Sequence, residues 1–122
     1  MSTRCNIIVR DKDSQFTLYR HCDGYKEVTF EHLKDFIKTY NFTNNYYAQA
    51  SSIVTELIRI NLKKNTTDQD YNPYELTNGI HGDIEYLYTI DLELKTIRVE
   101  NYGYLRDTSV CETFDYNKKE AK

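Results

Sequence analysis

The chain has no tryptophan, one proline and four glycines among its 122 residues. No internal repeat, low-complexity tract or domain boundary is visible, and the length leaves room for one domain around one hydrophobic core. No stretch approaches the roughly 18 apolar residues of a membrane-spanning helix. The opening Met-Ser-Thr-Arg lacks the apolar run of a signal peptide. Cys5, Cys22 and Cys111 are odd in number and show no Cys-x-x-Cys spacing, so they read as reduced thiols of a cytosolic protein. Also missing is the basic excess of a duplex nucleic-acid binder: the net charge is −3. Lys63 and Lys64, like Lys118, Lys119 and Lys122, read as solvated positions. Nothing matches a phosphate loop, a dinucleotide fingerprint, HExxH or GxSxG.

Tyrosine, by contrast, is abundant. The chain holds 12 of them within an aromatic content of 14%, alongside an apolar fraction of 39% and a mean hydropathy of −0.74. Disordered chains are poor in aromatics, so the composition points to a folded domain despite its polarity.

Local pattern supplies the elements. Arg4 to Arg10 alternates with Cys5, Ile7 and Val9 on one side, and Gln15 to His21 with Phe16 and Leu18. With Asp11-Lys12-Asp13-Ser14 as the turn, the two read as a hairpin. Thr29 has the chemistry of an N-cap, and Phe30, Leu33, Phe36, Ile37 and Tyr40 fall at helical spacing before Asn41 ends the run. A second helix is expected from Thr43 or Asn44, with Tyr46, Tyr47, Ala50, Ile53, Val54, Leu57 and Ile58 on its apolar face. Lys63 to Gly79 has no periodicity and reads as a long loop.

Beyond that loop, Ile84, Tyr86, Tyr88, Ile90 and Leu92 alternate with polar neighbours as a strand. A tight connection through Leu94-Lys95 leads to Thr96–Tyr102, and Val110 to Tyr116 suits a short edge strand. The expectation is an α+β domain over 1–122, with 117–122 a frayed tail. It comprises an antiparallel sheet of four to five strands, in the order ββααββ, with two helices packed on one face.

Chemistry-bearing residues fall in two segments. His21-Cys22-Asp23 ends one strand and His81-Gly82-Asp83 opens another. If those strands are neighbours with coincident ends, the two imidazoles and two carboxylates converge. Such a set suits a metal ion or general acid–base work. The competing account is that Asp23-Gly24 and Gly82-Asp83 make turns and the histidines only hydrogen-bond strand ends. No resident cofactor or metal and no catalytic residue is assigned.

Two surface features favour binding instead. Tyr19, Tyr25, Tyr71, Tyr74 and Tyr104 have no evident core slot, and exposed tyrosine is a common interface anchor. Glu85, Asp91, Glu93 and Glu100 share the face opposite the apolar side of the last strands, with Arg98 among them. They form either an ordinary solvated face or an acidic patch that competes with nucleic acid for a partner's basic groove.

The segment Tyr19-Arg20-His21-Cys22-Asp23-Gly24-Tyr25 lies 60 residues before Gly79-Ile80-His81-Gly82-Asp83-Ile84-Glu85-Tyr86-Leu87-Tyr88. In these paired motifs the chain resembles a family of small bacteriophage and prophage proteins, most without an assigned activity. The likeness covers roughly residues 4–100. Where that family often carries proline after the tyrosine of the first motif, this chain has Lys26, and the tail after Tyr104 lies outside the likeness. Plentiful Asn, Lys, Ile and Tyr, with their AT-rich codons, agree with a low-GC host.

The resemblance implies an accessory protein of the bacterial host cytoplasm, acting as a non-catalytic inhibitor of a defence component such as a CRISPR or restriction system. The candidate contact residues are Tyr19, Arg20, His21, Asp23, Tyr25, Tyr71, Tyr74, His81, Asp83 and Glu85. No nucleic acid or membrane is expected as a partner, and an edge strand leaves monomer and homodimer both open. Alternatives are a protein that sequesters a nucleotide signal and a metal-binding protein or enzyme using the paired His-x-Asp segments.

Overall fold

Period-two alternation near the N-terminus organises the whole molecule, because the first strand becomes an inner strand of the sheet. A computed structural model describes residues 4–21, 26–40, 49–64, 74–80, 82, 84–102 and 110–116. Its strands are β1 (Cys5–Arg10), β2 (Gln15–Arg20), β3 (Glu75–Thr77), β4 (Tyr86–Asp91), β5 (Thr96–Asn101) and β6 (Val110–Asp115), and its helices α1 (Glu31–Tyr40) and α2 (Ala50–Lys64). The sheet has six strands in the order β3-β2-β1-β4-β5-β6. The class is α+β.

Cys5, Ile7 and Val9 are fully buried. Their register partners are Arg20, Leu18 and Phe16 on β2 and Tyr86, Tyr88 and Ile90 on β4. Ile97 and Val99 extend the same face across β5. One apolar cluster joins these side chains to Leu33, Phe36 and Ile37 of α1 and to Ala50, Ile53, Val54 and Leu57 of α2. The i, i+3 and i+4 spacing read from the sequence is therefore the set of positions that face the sheet. At the far edge, Lys34 and Lys38 lie over the Phe114 ring of β6, at 5.5 and 5.6 Å from its centroid, and so draw α1 across the sheet.

Three expectations are corrected. The sheet is mixed and not wholly antiparallel, since β1 and β4 run parallel. Alternation reports which face a residue takes and carries no information on strand direction. The hairpin partner β2 occupies one side of β1; after the helices the chain first adds β3 to the outer edge of β2 and then reaches the other side of β1 as β4, a connection long enough for a parallel pair. Six strands replace four to five, because the long loop contains β3, whose three residues are too short to show a period. The same loop is shortened at its start, where α2 continues to Lys64.

Both helix starts also differ from expectation. Thr29 lies within a π-type turn, Lys26–Phe30, that runs directly into α1. It is thus preceded by helical backbone, and its hydroxyl accepts from Arg20 at 3.1 Å instead of capping α1. α2 begins at Ala50, later than Thr43 or Asn44, with Gln49 the last residue before it. The Ile53 amide donates to the Gln49 carbonyl at 3.1 Å. The Ala50 amide is met from outside by the Asp11 carboxylate at 2.8 Å. The positions expected for Tyr46 and Tyr47 lie outside the described residues.

Candidate site at one end of the sheet

Register places both sequence motifs at the same end of the sheet. β2 finishes there and β4 starts there, but the two are not neighbours: β1 runs between them. The Glu85 amide donates to the Arg4 carbonyl at 2.9 Å, so the row of backbone continues past the last paired residues. Two inter-strand spacings separate the ends of β2 and β4, about 10 Å. Coincident ends are observed and adjacency is not. Asp23, Tyr25, Tyr71, His81 and Asp83 lie outside the described residues, and so does the convergence that needed them. Among the described residues, no three His, Cys, Asp or Glu side chains are grouped so as to hold a metal ion.

Successive residues of a strand point to opposite faces, and this divides the Tyr19-Arg20-His21 run. Arg20 shares the helix-bearing face with its register partner Cys5. There its guanidinium donates to the Thr29 hydroxyl and to the Tyr74 hydroxyl, each at 3.1 Å. It also sits 4.7 Å from the centroid of the Tyr74 ring. On the other side of that hydroxyl is His32 Nδ1, at 2.6 Å. The imidazole and phenol rings are nearly parallel, at 10°. Arg20, Thr29, His32 and Tyr74 thus form a continuous polar network between the sheet and the start of α1.

Tyr74 is the clearest correction among the candidate residues. Expected as an exposed anchor, it is 1% exposed. The pairing of Glu75 with Tyr19 sets the residue before it alongside Arg20 on the covered face. Its phenol satisfies two polar partners that burial would otherwise leave costly. Burial pushes the Tyr74 hydroxyl well above its usual range, and the positive charge of Arg20 opposes only part of that. It stays protonated. His32 is half-buried in this network, a role that helical spacing alone does not reveal. Cys5 is excluded as a nucleophile: burial raises its thiol to about 12, against lesser opposing effects of Arg20 and of a hydrogen bond to Thr29.

Tyr19 and His21 belong to the opposite face. The Tyr19 hydroxyl and His21 Nδ1 are 3.1 Å apart, and the His21 ring is exposed. Glu85, also exposed, precedes β4 at the same end. The outward group at this end is therefore Tyr19, His21 and Glu85, flanked by a half-buried, firmly held Arg20.

Of the four acidic residues read onto the outer side, Glu85 and Glu93 are exposed, and Asp91 and Glu100 are engaged. Asp91 is 8% exposed. Its Oδ1 accepts from the Glu93 and Leu94 amides, at 3.0 Å each. Its other oxygen lies 3.8 Å from Arg10, and Glu100 pairs with Arg98 at 3.2 Å. These carboxylates are consumed by turn and ion pair. Among the described residues, no helix is long and apolar enough to cross a membrane.

No protein-family model, no curated protein and no solved structure matches the chain.

Proposed function

We propose that this is a phage- or mobile-element-encoded accessory protein that acts without catalysis, by binding a bacterial defence protein through the sheet end bearing Tyr19, Arg20, His21 and Glu85. The observation that supports this reading most is the state of Arg20 and its neighbours. A guanidinium held by Thr29 and Tyr74 is prepaid in side-chain entropy, and Tyr19 and the exposed His21 stand on the opposite face of the same strand end. Tyrosine and arginine are the side chains that most often dominate protein interfaces.

Affinity capture from a low-GC bacterial lysate, with mass spectrometry, tests the reading. One stoichiometric defence protein should be retained by the wild type and lost with Tyr19→Ala/His21→Ala. Equal retention by the double variant refutes this surface, and an empty capture refutes the inhibitor role.

A second reading, sequestration of a nucleotide signal, draws support from the same Arg20, since a guanidinium suits phosphate. A ligand that binds only the native state must raise its melting temperature. Absence of any shift at saturating cyclic nucleotides removes this alternative.

A further inference from the structure

The face of the sheet turned away from the helices carries a shallow groove of about 220 Å³. Its floor is Ile8 of β1 with Leu87 and Thr89 of β4. The register sets Ile8 beside Thr89 and Thr89 beside Arg98, while Arg10 lies beside Asp91. Arg10 on β1 and Arg98 on β5 thus stand on either side of the β4 floor, two inter-strand spacings across and two residues along the strands, about 12 Å apart.

The two ion pairs here are unequal in the same sense. The Arg10 and Arg98 side chains are each 46% exposed, whereas Asp91 and Glu100 are 11% and 16% exposed. The carboxylates are tucked against the sheet and the guanidiniums stand out from it. What a visitor meets first is the two guanidiniums, with Asp91 and Glu100 lying lower in the same lining, over a floor of half-buried Ile8 and Thr89 and the nearly buried Leu87.

We propose that this face is a docking surface for an acidic segment of a partner protein that also carries aliphatic side chains. Arg10 and Arg98 take its carboxylates, and Ile8, Leu87 and Thr89 take its apolar groups. A second copy of the same face is disfavoured, because it would oppose arginine rim to arginine rim. Single-stranded nucleic acid is disfavoured by the absence of any aromatic ring in the groove lining, since sequence-tolerant binding of that kind relies on base stacking. The surface is separate from the sheet end and stands or falls independently of it.

The test is an amide-resolved NMR titration of the full chain with a synthetic octapeptide of alternating glutamate and leucine. Its lysine–leucine counterpart and an oligothymidylate serve as further probes. Shifts confined to β1, β4 and β5 are expected for the acidic peptide alone. In Arg10→Gln/Arg98→Gln the affinity should fall by about tenfold, the scale of two lost exposed ion pairs, with the melting curve retained. His21→Ala should leave the titration unchanged, which distinguishes this surface from the sheet end. Absence of shifts at millimolar acidic peptide overturns the proposal, as do equal binding of the lysine peptide and unaltered binding by the double variant. Comparable shifts with the oligothymidylate overturn it in favour of a phosphate-binding face.

Discussion

Asp11 links two parts of the chain that are 39 residues apart, and replacing it should reveal what that link is worth. One carboxylate oxygen accepts from the Asp13 and Ser14 amides at 2.8 and 2.7 Å, closing the β1–β2 turn. The other accepts from the Ala50 amide at the start of α2. A lost cap at a helix start costs about 1 kcal/mol. The solvent-exposed turn bonds, partly replaced by water, add roughly another 1 kcal/mol. Asp11→Ala should therefore destabilise by about 2 kcal/mol, or lower Tm by roughly 6–12 °C in a domain of this size.

Asp11→Asn separates the two contributions. Its carbonyl can still close the turn, but its amide meets Ala50 donor to donor, so about 1 kcal/mol should be lost. Acid provides the internal check. Hydrogen bonds, chiefly from Ala50, hold the Asp11 carboxyl below its usual range. A depressed folded pKa means that the stabilisation is complete above the unfolded pKa, about 4, and fades as pH falls through the lower folded value. Denaturant melts from pH 7 to pH 2 should show the gap between wild type and Asp11→Asn shrinking below about pH 4. A gap that is absent at pH 7, or constant down to pH 2, would refute the capping role.

Three further outcomes follow from the geometry. Lys95 occupies the left-handed region with φ of 59°, so Lys95→Gly should stabilise by about 0.5–1 kcal/mol in chemical denaturation; a loss of stability would contradict this. Tyr74→Phe removes the oxygen shared by Arg20 and His32 while keeping the ring, and should cost about 1–3 kcal/mol. An unchanged midpoint would mean that the network contributes no net stability. Ile53→Asp puts a charge at a fully buried position of α2 and should abolish cooperative melting; a retained transition would show that this helix faces the other way.

Faces were legible in the sequence and connections were not. The buried sides of β1, β2, β4 and β5 and the stripes of α1 and α2 follow from periods of 2 and 3.6, because burial acts on each residue where it stands. Strand direction, the position of β4 beside β1 and the existence of β3 depend on which distant segments meet. The start of α2 likewise depends on Asp11, an acceptor outside the helix. The candidate site divided along the same line. That each motif borders a strand terminus was legible; that both termini lie at one end of the sheet depends on the parallel pairing of β1 with β4. That Tyr74 and His32 are joined to Arg20 could be seen only once β3 had been paired with β2. Acidic residues on the outer face were also placed correctly by alternation. The neutralisation of Asp91 was hidden because Arg10 comes from another strand and the carboxylate also closes its own turn.

Because β1 is an inner strand bonded to β2 on one side and β4 on the other, the order of synthesis differs from the order of assembly. The hairpin can close as soon as residue 20 is made, yet the remaining edge of β1 must wait until residue 91. At translation speeds of about 5–20 residues per second, that is several seconds. Throughout that interval an unpaired strand edge is open to other nascent chains, and the Cys5-Ile7-Val9 face is bare until α1 and α2 have followed. Trimming the protein from its two ends should therefore have unequal effects. Removal of β6 strips an outer strand, whereas removal of β1 leaves two half-sheets with no strand to join them.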